Sequence, residues 1–333
     1  MIKENKPLDV LAIGDMTTDA FIRLEDAEVS CDVDKENCKL CMRFGDKIPY
    51  KSVDIVKAVG NSANAAVGAA RLGLNSALLS YVGDDQNGKE CVEELEKNGV
   101  ITDYVRKEEG KNTNYHYVLW YDVDRTILIK HETFSYDLGD IGSPKWIYLS
   151  SLNSNSLPYH IQIAEFLENH PETKLAFQPG TFQIKLGSKE LEKIYKETDI
   201  FFCNVDESQR ILDEKSRDLP VLLRGIANLG PKTVIITDGI AGAYAFETET
   251  NEMWFMSVYP HTPFERTGAG DAFASTIISA LALGKTLEEA LMWAPINSMS
   301  VTQQIGAQRG LLSLEKLEEY LAKAPVDYKP KKI

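Results

Sequence analysis

The chain has no stretch of about 18 uninterrupted apolar residues, so no membrane-spanning helix is expected. Met1 to Lys6 hold no apolar signal core and run straight into a strand-like segment, so no leader is expected either. Basic residues are too few to read a nucleic acid: 36 Lys and Arg stand against 50 Asp and Glu, a net charge of −14 over 333 residues. Any anionic ligand must then be held by local dipoles, a metal and a few side chains. The five cysteines are odd in number and scattered, which points to a reducing cytoplasm. Cys38-x-x-Cys41, with Cys31 upstream, has the spacing of a zinc half-site, but no second Cys/His pair follows, and ordinary thiols in a loop or lid are expected. No G-x-x-x-x-G-K-[ST] occurs, and no G-x-G-x-x-G follows the first strand, which disfavours a P-loop enzyme and a dinucleotide oxidoreductase. Repeats, low-complexity tracts and a Pro/Gly/Ser linker are also missing, so one α/β domain spanning residues 1–333 is the economical reading.

What is present alternates. Leu8 to Gly14 reads as a buried strand ending at a glycine, residues 61–73 as a small-residue helix, Ala77 to Val82 as a second strand and residues 87–98 as an amphipathic helix. The pattern then changes: Tyr115 to Tyr121 and Thr126 to Lys130 are aromatic and β-branched runs joined by an acidic turn, a hairpin signal. Residues 16–52 lack clear helical periodicity and, with 112–131, are expected to form a small β-sheet lid. From 145 onward strands near 146, 174, 200 and 233 alternate with helices near 159–169, 188–197, 205–213 and 219–229, followed by a mostly helical C-terminal third. Repeated βα units favour a central, mostly parallel sheet covered by helices on both faces.

The strongest local signal is Thr267-Gly268-Ala269-Gly270-Asp271, followed by the apolar run Ala274 to Leu283. A glycine turn opening a helix presents free N–H groups at the positive end of the helix dipole, where phosphate oxygens bind. Asp271 in the first turn could accept a proton from an attacking hydroxyl. On spacing alone an equal reading stands beside it: the glycines make a tight turn and Asp271 caps the helix.

This stretch resembles the C-terminal D-T-x-G-A-G-D signature of the PfkB, or ribokinase-like, carbohydrate kinases. Further similarities follow in the family's order. Gly14-Asp15-Met16-Thr17-Thr18-Asp19 resembles the first-strand G-x-x-x-x-D element, and Val59-Gly60-Asn61-Ser62-Ala63-Asn64 with Ala70-Arg71-Leu72-Gly73 resembles the N-terminal signature. Val82-Gly83-Asp84-Asp85 is similar to the V-G-x-D turn, Asn204-Val205-Asp206-Glu207 to N-x-x-E, and Thr237 to Gly242 to the T-x-G-x-x-G nucleotide loop. The resemblance implies a three-layer ribokinase-like α/β/α fold with a β lid, and an ATP-dependent sugar kinase, with a nucleoside kinase or a catalytically silent sugar- or nucleotide-binding regulator as alternatives. It implies Asp271 as general base, with Gly268, Ala269 and Gly270 as an anion hole. It places Asp19, Gly60, Asn61 and Asn64 on the substrate, and Asn204, Thr237, Gly239, Gly242 and Thr267 on the nucleotide side. Glu207 is tied to Mg²⁺, and K⁺ is a candidate monovalent cation.

The residues add their own reasons. Asp19, just past a strand end, sits where open α/β sheets bind ligands. Gly60 would let substrate approach the backbone, and the alternatives for Asn61 and Asn64 are helix caps. Glu207 could reach Mg²⁺ through water, and is otherwise a solvated helix carboxylate. Arg125, at the hairpin turn, could reach over the substrate or a transferred phosphate, and otherwise forms a surface ion pair with the neighbouring aspartates. Trp120, Tyr117 and Tyr121 are read as lid packing, with stacking of one on a base or sugar face as the alternative, and the histidines as ordinary. Glu265 and Arg266 depart from the usual Asp-Thr, and Val59 from the first glycine of the N-terminal pair; both put the substrate rather than the activity in question. A small-molecule sugar or nucleoside partner, no nucleic acid or membrane, and a homodimer through lid strands complete the expectations.

Overall fold

A computed structural model describes residues 7–31, 38–122, 124–262, 264 and 266–333. Its frame is a ten-stranded sheet in the order Lys331–Lys332, Glu252–Met256, Ala243–Glu247, Thr233–Thr237, Ile200–Asn204, Lys174–Phe177, Trp146–Leu149, Val10–Ile13, Ser76–Gly83, Val105–Glu108. From Thr233–Thr237 to Val105–Glu108 every pairing is parallel; the three strands at the opposite edge pair antiparallel. Sheets of this kind are covered on both faces, so their strands read as unbroken apolar runs. Val10-Leu11-Ala12-Ile13 is one, and its alternation divides the core: Val10 and Ala12 join one buried cluster, Leu11 and Ile13 the other. On the first face lie the helices Asn61–Arg71, Ala269–Ala282 and Leu287–Val301; Leu157–Asn169 and Leu219–Ala227 supply apolar residues to the second.

Most elements stand where the sequence pattern places them. The helix expected over 188–197 does not: the chain forms two short helices, Thr181–Leu186 and Glu192–Glu197, separated at Gly187, whose φ of 91° leaves the helical region. The antiparallel edge strands Ala243–Glu247 and Glu252–Met256 carry no strong signal of their own and form because the sheet edge at Thr233–Thr237 offers unpaired backbone groups.

A separate four-stranded sheet runs Tyr50–Val59, Thr17–Leu24, Asn114–Tyr121, Asp124–Leu128. The hairpin forms as the pattern implies, with Trp120 paired to Arg125 and Tyr117 to Leu128. Phe21, Val56, Val59 and Val118 bury one face against Ile305. The other face exposes Val53, Ile55, Tyr117 and Leu128. Asp19 lies past the end of Val10–Ile13, as the sequence implies, but as the third residue of Thr17–Leu24 it belongs to this smaller sheet.

The cysteines depart from expectation. Cys31 and Cys38, flanking the two-stranded ribbon Glu28–Ser30 and Lys39–Cys41, form a disulfide. Cys38 therefore cannot act as the partner of Cys41 in a zinc half-site, and among the described residues no group of three or more His, Cys, Asp or Glu could hold a metal. Cys41, Cys91 and Cys203 are free thiols. Among the described residues no helix is long and apolar enough to cross a membrane.

Candidate active site

The helix Ala269–Ala282 begins at Gly268, whose φ of 79° is the left-handed conformation that glycine adopts without penalty. No side chain caps this end, so the reading of Asp271 as a helix cap fails. Asp271 is buried, at 9 % exposure, and turns toward the start of Asn61–Arg71 instead. Its Oδ1 accepts from Asn61 Nδ2 at 2.8 Å and from Gln178 Nε2 at 3.2 Å, and its Oδ2 from Asn64 Nδ2 at 2.7 Å. Burial pushes its carboxyl above the ordinary aspartate range, and the three amide bonds pull it partly back. A carboxylate kept basic but charge-supported by neutral donors suits proton abstraction from an alcohol.

Asn61 and Asn64 do not cap their helix; its N-cap is Gly60 and no side chain bonds there. Both amides are drawn instead to the buried charge of Asp271, the stronger acceptor. Gly60 has φ 118°, and a Cβ on it would meet the backbone oxygen of Asp15 at 2.6 Å. The close approach that requires glycine is thus to the first-strand turn, which brings Asp15 beside the start of this helix.

Around Asp15 and Asp19 lie residues that sequence reasoning left as ordinary. Asp15, 5 % exposed, accepts from Tyr136 Oη at 2.7 Å and faces His131 Nδ1 at 3.3 Å. Burial, reinforced by the Asp15 charge, pushes the Tyr136 phenol well up, so it stays a donor. Asp19 Oδ1 lies 3.3 Å from His116 Nδ1. The rings of His116 and His131 are 5.1 Å apart, and Phe182 meets His131 edge-on at 5.5 Å. These side chains come from strands and loops remote in sequence, and lone histidines carry no spacing signal. Gln178 had one: it directly follows the parallel strand Lys174–Phe177, at the carboxyl end where such sheets bind ligands.

The residues expected on the nucleotide side occupy the neighbouring strand ends. Asn204 and Thr237 are register partners on adjacent parallel strands. Past Thr237, Asp238 N donates to Gly242 O at 2.8 Å, with Gly239 at φ 52° and Gly242 at φ 106°. A Cβ on Gly242 would meet Met256 O at 2.4 Å, so this glycine serves the packing of the edge strands. Gly270, by contrast, has open space where a Cβ would point. Thr267 immediately precedes the Gly268 N-cap. Arg125 stands on the buried side of the lid hairpin, paired with Trp120; Trp120 is covered by Arg23 at 4.9 Å and Phe264 at 6.0 Å. Glu265 lies outside the described residues, and with it half of the Glu265–Arg266 departure.

Glu207 is not a solvated helix carboxylate. It closes a capping box: its Oε2 accepts from Asn204 N at 2.9 Å while Asn204 Oδ1 accepts from Glu207 N at 2.8 Å. Burial raises its carboxyl, offset in part by the Asn204 bond. A preformed cage of protein carboxylates is missing among the described residues. Glu207 is a single carboxylate at the end of the parallel strand Ile200–Asn204, and a lone carboxylate fits an ion such as Mg²⁺ that keeps much of its water.

A buried carboxylate at the mouth of a glycine turn, set at the carboxyl ends of a parallel sheet under a small β lid, defines a phosphotransferase with an alcohol group as acceptor. The description "pfkB family carbohydrate kinase" matches residues 47–313. The chain belongs to that family. It is 26 % identical over 257 residues to an uncharacterized sugar kinase of Archaeoglobus fulgidus, covering 74 % of this chain and 98 % of the relative. It is 26 % identical over 271 residues to a ribokinase of Bacillus subtilis, covering 79 % and 87 %. Among solved structures, Arabidopsis thaliana ribokinase complexed with ribose and ATP superimposes with a TM-score of 0.80 at 20 % identity, over 95 % of this chain and 99 % of that one. The ribokinase-like fold expected from the sequence is therefore the fold observed.

Proposed function

We propose that the protein transfers the γ-phosphoryl group of ATP to a CH₂OH hydroxyl of a small sugar, with Asp271 as general base. The observation that carries this reading is the buried, amide-held carboxylate of Asp271 in the first turn behind Gly268. The hydroxyl proton passes to Asp271, the freed oxygen forms its bond to the γ-phosphorus, and the bond from that phosphorus to the bridging oxygen breaks, releasing ADP. The N–H groups of Gly268, Ala269 and Gly270 face the charge that develops on the transferring group. Asp19 and the Gly60 to Asn64 turn hold the substrate, with Arg125 closing from the lid; Asn204, Thr237, Gly239, Gly242 and Thr267 bound the nucleotide. Glu207 would help to hold Mg²⁺, which would neutralise charge on the nucleotide phosphates.

Residues 1–333 act as one kinase domain whose segments 16–52 and 112–131 close over the substrate and exclude water. The exposed apolar face at Val53, Ile55, Tyr117 and Leu128 supports a homodimer through the lid. Use of ATP supports a cytoplasmic setting, against which the Cys31–Cys38 disulfide is the one contrary feature.

A neutral, polyhydroxylated acceptor is favoured by the acidic and histidine lining at Asp15, Asp19, His116 and His131. A second reading, a nucleoside kinase, draws on the His116, His131 and Phe182 rings, whose faces and edges could hold a base. ADP release from Mg-ATP across ribose, fructose, 2-keto-3-deoxygluconate, fructose 6-phosphate, adenosine and cytidine, with Asp271→Asn alongside, tests both. Turnover of a sugar that is lost in the variant supports the first reading; turnover only of adenosine or cytidine replaces it with the second. ATP binding without turnover of any acceptor would favour a silent sugar- or nucleotide-binding regulator.

A further inference from the structure

The three donors on Asp271 are distributed unevenly. Oδ1 accepts two, from Asn61 and Gln178, whereas Oδ2 accepts one, from Asn64. A carboxylate oxygen offers two lone-pair directions, so Oδ1 is filled and Oδ2 keeps one open.

Each arrangement depends on the way an amide is turned. A half-rotation of Gln178 would aim its carbonyl oxygen at the carboxylate and convert an attraction into a repulsion. Tyr148 blocks that rotation: its phenol donates to Gln178 Oε1, leaving Nε2 to face Asp271. Tyr148 is fully buried on the central strand Trp146–Leu149 and cannot swing away. Burial first, and the Asp271 charge second, push its phenol well above the ordinary value, so it remains the donor. On the opposite side Gln308, 5 % exposed, donates to Asn64 Oδ1 at 3.0 Å and to Ala58 O at 2.7 Å, which fixes Asn64 in the same sense. The Asp271 charge acts on Tyr148 and Glu207, raising both, and Arg266 lies exposed on the turn before it.

We infer that Gln178, locked by Tyr148, is a positioning residue that occupies Oδ1 of Asp271 and leaves Oδ2 as the oxygen that receives the proton of the acceptor hydroxyl. This rests on Asp271 being the base. The step is the one already described, with the proton now assigned an atom: the hydroxyl O–H breaks toward Oδ2 as the O–P bond forms and the bond to ADP breaks. Tyr148 and Gln178 neither gain nor lose a proton in it. All three donors on Asp271 are neutral amides, which orient the carboxylate without the loss of basicity that an arginine or lysine partner would impose.

The test is the pH profile of kcat/KM for Gln178→Met, Tyr148→Phe and the double variant, using whichever acceptor the wild-type protein phosphorylates. Gln178→Met should lower kcat about 10- to 100-fold with the KM for ATP within about twofold, since a misaimed catalytic group costs on that order. Its acid limb should move to higher pH, by about half a unit or more, because a charge-stabilising donor is gone. Tyr148→Phe, which removes one oxygen and no volume, should shift the limb in the same direction by less. The double variant should match Gln178→Met, because the tyrosine acts through the glutamine. If Gln178→Met fails to fold, Tyr148→Phe alone reads the same limb. Wild-type limbs and kcat in both single variants, with Asp271→Asn inactive, would overturn the inference and leave the base standing. Activity retained in Asp271→Asn would overturn both.

Discussion

A methyl group on Gly268 would stand 2.3 Å from Cβ of Ala307 and 2.5 Å from its Cα. The glycine turn that opens the helix Ala269–Ala282 is therefore packed directly on the 302–310 loop, and the same loop packs Ile305 against the small sheet. The conformation adds to the restriction, since φ 79° costs any other residue about 1–3 kcal/mol. Gly268→Ala should lose at least about 2 °C in Tm and roughly 100-fold in kcat. Gly270→Ala, with nothing within 4 Å of the added atom, is the thermal control. Equal melting temperatures for the two variants would remove the packing argument.

Asp271→Asn should reduce kcat by about 10²- to 10⁴-fold, the usual contribution of a general base, and leave the KM for ATP within a few-fold. Steady-state ADP release gives both constants. Near-wild-type turnover would mean that another group takes the proton.

The acid limb of kcat/KM should report a carboxyl titrating above the ordinary aspartate range, because burial raises Asp271. The sign is fixed by the role: the base works only when deprotonated, so activity is full above the raised pKa and falls as pH drops through it. Brief incubation at each pH, followed by return to neutrality, separates this limb from acid unfolding. A limb at or below the value of a free aspartate would contradict the assignment.

His131 faces Asp15 at 3.3 Å and lies between the rings of His116 and Phe182. His131→Ala should raise the KM for the phosphoryl acceptor about three- to tenfold, the net worth of one hydrogen bond, with the KM for ATP unchanged. An equal rise in both constants would point to general loosening rather than to acceptor binding.

His160 is 1 % exposed and bonds through Nδ1 to Ser156 O at 2.8 Å. Burial lowers its pKa to about 4. A histidine depressed in the folded state takes up a proton mainly on unfolding. Its contribution is therefore complete above the unfolded value near 6.5 and is lost as pH falls from there toward 4. Between pH 7.5 and 5 the wild type should lose about 2 kcal/mol from this group, which His160→Phe would not. Denaturant unfolding of both proteins at the two pH values gives the difference. The same loss in the variant would assign it to other groups.

The sequence by itself determined the alternation of strands and helices, the aromatic hairpin and the family, and it pointed to Asp271 as the proposed base, because each is written in contiguous residues: apolar runs with their stops, an aromatic pair of strands, a glycine turn followed by Asp271. The separate small sheet was legible for the same reason, although the strand that carries Asp19 was not. Only the tertiary structure decided what those residues touch. Asn61 and Asn64 look like helix caps until the fold places the buried charge of Asp271 beside their amides. Glu207 looks solvated until its carboxylate turns back onto Asn204. Gln178, Gln308 and Tyr148 are separated in sequence from the groups they orient by between 30 and 244 positions. The Cys31–Cys38 bond likewise depends on the pairing of Ser30 with Lys39, the residues next to the two cysteines. Periodicity reports which face of an element is buried; it does not say which distant polar group a buried amide must satisfy. That choice is made when burial removes water and leaves each donor to the acceptors the packing provides.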